Sequence, residues 1–280
     1  MQLKIWGCRG SVPSPGPTTV ICGGNTSCVE LSLDDGTVLV LDAGTGIRDL
    51  GDDLVERGVR RIHLLLTHLH LDHVEGLRFF GPMWDKNVVL DVWGPPSTVV
   101  SLEDSIARTF SPPLFPIDLG VVPAQVAFHD APRKPWKVES ALITAALVVH
   151  PGPTLGYRIE ADGVCVAYLP DHEPALTGIE ERPSDWISGA SIAEGADVLL
   201  HDAQYFEDEY EQRIGWGHSS VSDTIAYAEA LQVGRLVLFH HEPHHSDEVL
   251  SGLEDHAKEL VHQDGSRPTL AREGMVVELS

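Results

Sequence analysis

Residues Thr67–His73 read THLHLDH and follow the apolar run Ile62–Leu66. Three imidazoles and a carboxylate so close together suit Zn²⁺, with Mn²⁺ or Fe²⁺ as alternatives for the same nitrogen and oxygen donors. In an extended loop, His68 and His70 lie two residues apart and point to one side. Asp72 and His73 follow at once and can face a second position nearby. These donors cannot complete two metal sites alone, so further ligands must come from elsewhere in the chain.

A strand must deliver the chain to this loop, and the helix-like stretch VEGLRFF carries it away. Strand-like runs recur at Gln2–Trp6, Cys28–Leu33, Val38–Asp42, Ile62–Leu66, Val88–Val92, Gln125–His129, Ala141–Val149, Tyr157–Ile159, Val164–Tyr168, Val198–His201, Leu236–Phe239 and Met275–Leu279. They are β-branched or leucine-rich and bounded by Gly, Pro or Asp. Ile47, Leu50 and Leu54 share a helical face after the LDAGTG turn. Val221, Ile225 and Ala228 share another after Ser220, with Asp223 placed for a capping box. Leu253, Ala257 and Leu260 predict a third helix. Interleaved strands and helices without a linker or repeat predict one α/β domain over residues 1–280, with two layers of sheet.

The 280 residues carry 42 Asp and Glu against 19 Lys and Arg, a formal charge of −23, together with 15 histidines. Such a surface repels phosphate backbones and anionic lipid, which disfavours non-specific nucleic-acid binding and a polybasic membrane anchor. Hydrophobic residues make up 42%, enough for a real core. The start, MQLKIWGCRG, lacks a signal-peptide pattern, and no apolar run has transmembrane length. Cys8, Cys22, Cys28 and Cys165 form no CxxC pair or zinc ribbon, so a disulfide framework is not expected. A cytoplasmic, reduced protein without a membrane partner is expected, and a homodimer is compatible with the sequence.

Nearly end to end, the sequence resembles the metallo-β-lactamase fold superfamily of metal-dependent hydrolases. That resemblance implies a four-layer αββα sandwich, two mixed sheets flanked by helices. Asp42 in VLVLDAGTG matches the acid that buttresses the metal ligands. His68, His70, Asp72 and His73 match the second motif, and His150 in VVHPGP matches a lone metal histidine. Asp171 in AYLPDHEP resembles the carboxylate that bridges both metals, and His240 in RLVLFHHEP the histidine ending a late strand. The resemblance implies two divalent ions, Zn first, with Mn or Fe as alternatives. One would be held by His68, His70, His150 and Asp171, the other by Asp72, His73, Asp171 and His240. A bridging water would be acidified to the nucleophilic hydroxide. Strand register decides between His240 and its neighbour His241; His244 and His245 read as rim or surface residues.

HDAQ, His201–Gln204, and GHSS, Gly217–Ser220, resemble paired motifs of the ribonuclease Z and phosphodiesterase branch, with Asp202 in place of Glu. The resemblance makes His218 a phosphate ligand or general acid oriented by Asp202, and sets both beside Asp72 as catalytic residues. His201 is given no role. Asn25, Thr26 and Ser27 either line the mouth of the site or form a tight turn. That branch clamps tRNA with a basic arm, and no Lys-rich insertion exists here. The segment Leu77–Val149 instead carries SPPLFP, Phe110, Phe115 and Trp136, read as a wall or lid for a small ligand or as cover for a sheet edge.

The expected function is a dinuclear hydrolase of a small or cyclic nucleotide-like phosphodiester, with structured RNA disfavoured. Two other readings stay open: an acyl-bond hydrolase of lactonase or thioesterase type, and a non-catalytic metal-binding sensor or accessory protein.

Overall fold

The computed structural model describes residues 1–174, 186–262 and 267–279. Within them lie fourteen strands in two seven-stranded sheets. The first sheet holds β1 (Gln2–Gly7), β2 (Cys28–Ser32), β3 (Val38–Leu41), β4 (Arg61–Leu65), β5 (Val89–Gly94), β6 (Gln125–Asp130) and β14 (Val276–Glu278), in the order β14-β1-β2-β3-β4-β5-β6. The second holds β7 (Trp136–Val138), β8 (Ala141–Leu147), β9 (Leu155–Ala161), β10 (Val164–Leu169), β11 (Val198–Asp202), β12 (Arg235–Phe239) and β13 (Arg267–Leu270), in the order β13-β12-β11-β10-β9-β8-β7. Each of the twelve expected strands is present; β7 and β13 are additional.

Both sheets are mixed, which explains where the sequence alternates and where it does not. β3 to β6 run parallel, as do β10 to β13, while the remaining pairs are antiparallel. β3 and β10 are buried along their whole length, as parallel strands covered on both faces require. The antiparallel β1 alternates and turns Leu3 and Ile5 inward.

Three apolar clusters separate four layers. One lies between the sheets, around Leu31, Leu41, Tyr157, Val166 and Phe239. Another lies under α1 (Ile47–Glu56) on the outer face of the first sheet, through Ile47, Leu50 and Leu54. The third lies under α3 (Ala190–Ala193), α4 (Val221–Ala230) and α5 (Asp247–Leu260), through Ile225, Leu250 and Leu253. Burying each such side chain contributes about 1.5–3 kcal/mol before entropy is subtracted. The arrangement is the αββα sandwich the sequence implied. α4 starts at Ser220, whose hydroxyl accepts the Asp223 amide and donates to the Asp223 carboxylate.

Two expectations change. VEGLRFF is not a regular helix: α2 is the single turn Leu71–Val74, followed by 3-10 turns at Glu75–Phe79 and Gly81–Trp84. Gly76 packs against the Gly44 carbonyl too closely for any Cβ, and this contact holds the tighter path. The aromatic residues of Leu77–Val149 are not a lid. Phe110 is buried under the first sheet with Phe115 packed on it, and Trp136 packs into the inter-sheet core. The four cysteines are free and buried. No described helix is long and apolar enough to cross a membrane.

Candidate metal centre and its catalytic flank

The donor groups converge because parallel strands end together. Asp42 follows β3, Thr67–His73 follows β4, Asp171 follows β10, Asp202 ends β11 and His240 follows β12. Carboxyl ends of parallel strands form a natural crevice for ligands. His150 arrives from the loop after β8. Asp42 and His240 adopt left-handed backbone conformations, φ 60° and 59°. Non-glycine residues reach that region only where surrounding contacts hold them there, and such residues cluster at functional sites.

Three donor groups converge among the described residues: one joins Asp202, His218 and His240, and the other two hold the expected ligands. His68, His70, His150 and Asp171 place one donor atom each within 4.8 Å of one another, and Asp72, His73, Asp171 and His240 do the same. Asp171 belongs to both. Every residue assigned to a metal from the sequence therefore lies in the expected group. His240, not His241, faces the centre: His241 turns away and meets the Ala271 carbonyl at 2.9 Å. His244 is exposed, as expected of a rim residue. His245 departs from that expectation, being 5% exposed and bonded to Glu209 at 2.9 Å.

The inward atoms do not satisfy one another. His73 and His240 face each other through their Nε2 atoms at 3.4 Å, and His150 Nε2 lies 3.3 Å from His70 Nδ1. Buried His68 Nε2 has no hydrogen-bond partner, and Asp171 Oδ1 is shared between His73 Nε2 at 2.9 Å and His240 Nε2 at 3.1 Å. Such unmatched groups are costly unless a cation sits among them. The outer nitrogens are engaged instead: His73 Nδ1 by Asp42 at 2.8 Å, His150 Nδ1 by the Gly217 carbonyl at 2.8 Å, and His68 Nδ1 by the Thr67 hydroxyl at 3.1 Å. An outer acceptor leaves the inner nitrogen as a lone-pair donor, the arrangement usual around metals. The residues present thus fit bound divalent metal.

The electrostatics agree. Burial pushes the imidazoles of His68, His70 and His150 down, toward the neutral form that can ligate. Burial alone would raise Asp171, but His240, His73 and His68 outweigh it and hold the carboxyl well below its usual range. His73, coupled to Asp171, Asp72 and Asp42, shifts upward despite burial. Asp72 also accepts the Ser11 amide at 2.8 Å.

His218 stands at the flank. Its ring stacks on His240 with centroids 4.9 Å apart and planes 16° from parallel. Its Nδ1 meets Asp202 Oδ2 at 2.7 Å. Burial opposes charge on this ring, but Asp202 overcomes it and its pKa is pushed up to about 9. Asp202 is fully buried, and also accepts the Ser219 and Gln204 amides at 3.2 and 3.1 Å. His201 lies behind, bonded to His172 at 2.9 Å.

Asn25, Thr26 and Ser27 do not line the centre. Nor do they form a tight turn: Thr26 and Ser27 are buried, and Thr26 bridges Arg9 and exchanges two bonds with Thr45 just before α1. Glu173 had no role in the sequence reading. It is 1% exposed, and its carboxylate accepts the Gly215 and Gly217 amides and the Tyr210 hydroxyl at 2.8, 2.7 and 2.8 Å. Gly217 has φ 91°, and a Cβ there would strike Pro151 and His150. The sequence signal was present as a tryptophan between two glycines directly before His218.

Two cavities flank the centre. One of about 250 Å³ borders His68 and His70 and is walled by Pro95, Pro96, Val100 and Pro153. Pro95, Pro96 and Val100 are the part of Leu77–Val149 that does form a wall. The other, about 680 Å³, borders His218, Tyr205, Arg213 and Trp216.

A model described as the beta-lactamase superfamily domain matches residues 37–241. Ribonuclease Z of Mycobacterium marinum is 25% identical over 282 residues, covering 93% of this chain and 91% of that protein. Among solved structures, the metallo-beta-lactamase fold protein YhfI from Bacillus subtilis aligns with a TM-score of 0.71 at 18% identity, covering 99% of this chain and 98% of that one. A diphosphatase from the PhnP family aligns at 0.70 and 17% identity, covering 100% and 98%.

Proposed function

Because the chain belongs to the metallo-β-lactamase superfamily, we propose that it is a dinuclear metal-dependent hydrolase of phosphodiesters, acting on a small or cyclic nucleotide-like substrate. The observation that carries this reading is the His218–Asp202 pair stacked against the donor cluster. His68, His70, His150 and Asp171 would hold one ion, and Asp72, His73, Asp171 and His240 the other. Zn is favoured by the histidine-rich donor set, and Mn or Fe would also suit it. When bound, two such ions supply an activated water at neutral pH and polarise the phosphoryl oxygens.

The protein's own groups do the rest. Asp42 fixes the His73 ring, and Gly217 fixes His150. Asp202 accepts a hydrogen bond from the Nδ1–H of His218, so Nε2 is the nitrogen offered to the cavity. A proton there can pass to the departing alkoxide oxygen, a contribution of about 10²–10⁴ in rate. Asp72 holds the Ser11 amide over the centre. The small-substrate part rests on the charge of −23.

The test is turnover of bis(4-nitrophenyl) phosphate, cyclic nucleotides and a structured RNA by protein of measured metal content. Small diesters are expected to be hydrolysed, and His218→Ala to lose activity while retaining metal. Fully loaded protein that leaves every small diester intact would sink the proposal. Cleavage of the RNA alone would move the reading to RNA processing, the activity named for the mycobacterial relative.

A further inference from the structure

The larger cavity has a composition that the hydrolytic centre does not explain. Along its wall the Arg213 guanidinium lies over the Tyr205 ring, 4.9 Å from its centroid, and the Tyr205 ring meets His218 edge-on at 6.1 Å. Arg213 donates to the Glu209 carbonyl at 2.7 Å, and no described carboxylate lies within 4.0 Å of its guanidinium. Its planar fork therefore keeps donors to spare for an anion. Glu242 borders the same cavity, but Gln204 and His244 engage its carboxylate at 2.9 and 2.8 Å.

Trp216 supplies a second feature, an indole left 59% exposed at the cavity wall. Its backbone is fixed on both sides, since the Gly215 and Gly217 amides are tied to the buried carboxylate of Glu173. An aromatic face presented from a fixed loop is a stacking platform for a base. A cavity of about 680 Å³ has room for more than an aryl ring.

From this arrangement we propose that the cavity holds the leaving half of the substrate as a nucleotide unit, its base on Trp216 and a second phosphate on Arg213. The inference rests on the phosphodiesterase reading. In the reaction, water oxygen bonds to phosphorus, the bond from phosphorus to the leaving oxygen breaks, that oxygen takes the His218 Nε2 proton, and the proton shed by the water restores His218. The leaving group thus lies on the His218 side, where the cavity is. The preferred substrate is a nucleotide phosphodiester whose leaving nucleoside carries one further phosphate.

Calorimetric titration of metal-loaded protein with adenosine 3′,5′-bisphosphate, adenosine 5′-monophosphate and inorganic phosphate tests this. The bisphosphate should bind about tenfold tighter than the monophosphate, and Arg213→Gln should erase that difference. Trp216→Ala should weaken both nucleotides by about tenfold and leave inorganic phosphate unchanged, which also reports an intact centre. Equal affinity of the two nucleotides for the wild type, or a preference surviving Arg213→Gln, would overturn the inference. Hydrolysis of bis(4-nitrophenyl) phosphate by the same preparation separates the two readings. Turnover without nucleotide preference removes only this inference, whereas no turnover of this or any other small diester removes the phosphodiesterase reading and this one with it.

Discussion

Replacing Glu173 by alanine tests how the Trp216 loop is held. The carboxylate is buried and accepts two amides and one phenolic hydroxyl between 2.7 and 2.8 Å. Each hydrogen bond to a charged group contributes about 1.5–3 kcal/mol. Removing the acceptor also removes the desolvation cost of the carboxylate, and the freed loop can take water. The net loss expected for Glu173→Ala is therefore about 2–4 kcal/mol rather than the full sum. Glu173→Gln keeps the volume and one acceptor but turns an NH₂ toward a donor, so about half that loss is expected. The effect reaches the centre, because Gly217 both donates to Glu173 and accepts from His150. Turnover should fall about 10–100-fold, the usual cost of disturbing a group that orients a metal ligand. Urea unfolding at fixed metal content measures the stability, and amide exchange at Gly215 and Gly217 measures the loop. A Glu173→Ala protein within about 0.5 kcal/mol of wild type, with those amides still protected, would refute the reasoning.

Asp171→Ala should lower bound metal by both equivalents, since its carboxylate belongs to both donor groups, whereas His70→Ala should lower it by one; elemental analysis after gel filtration reads this directly. Gly10→Ala should reduce metal content with the fold retained by circular dichroism, because the added Cβ would collide with the His240 ring. The Cys22 and Cys165 thiols are pushed up to about 11 by burial. The unfolded chain then ionises them first as pH rises, so stability should decline between about pH 9 and 11, and Cys165→Ala should flatten that slope in pH-dependent melting.

The donor set was legible because its residues sit on short motifs at strand ends, where type and spacing carry the information. HxHxDH needs only an extended backbone at His70 (φ −64°, ψ 151°) to bring its members to one place. Choosing His240 over His241 required knowing which residue follows a parallel strand in register with β11, and the structure supplies that pairing. What stayed hidden depends on partners distant in sequence. Glu173 is an ordinary acid until Gly215 and Gly217, more than forty positions later, turn their amides to it. Phe110 and Trp136 carry no mark distinguishing a lid from a core. The burial of Phe110 and the packing of half-buried Trp136 follow from the path of a segment whose strand β7 is three residues long and weak in pattern. The VEGLRFF stretch has helical composition, and tertiary crowding at Gly76 overrides that preference.

Asp42 has a consequence beyond the orientation of His73. Its carboxylate accepts the Thr67 amide and hydroxyl from the first sheet and the Tyr168 hydroxyl from the second, at 2.7, 2.9 and 3.0 Å. Tyr157 and Leu155 add further bonds across the gap, to the carbonyls of Leu66 and Thr67 at 2.8 and 2.9 Å. At this end of the sandwich the two sheets are riveted, not merely pressed together by apolar surface. Sliding one sheet over the other would shear these bonds before it exposed much of the core. The alignment of the layers and the alignment of the donor atoms are consequently one mechanical quantity, so loosening the sandwich at Asp42 and detuning the centre should occur as a single event.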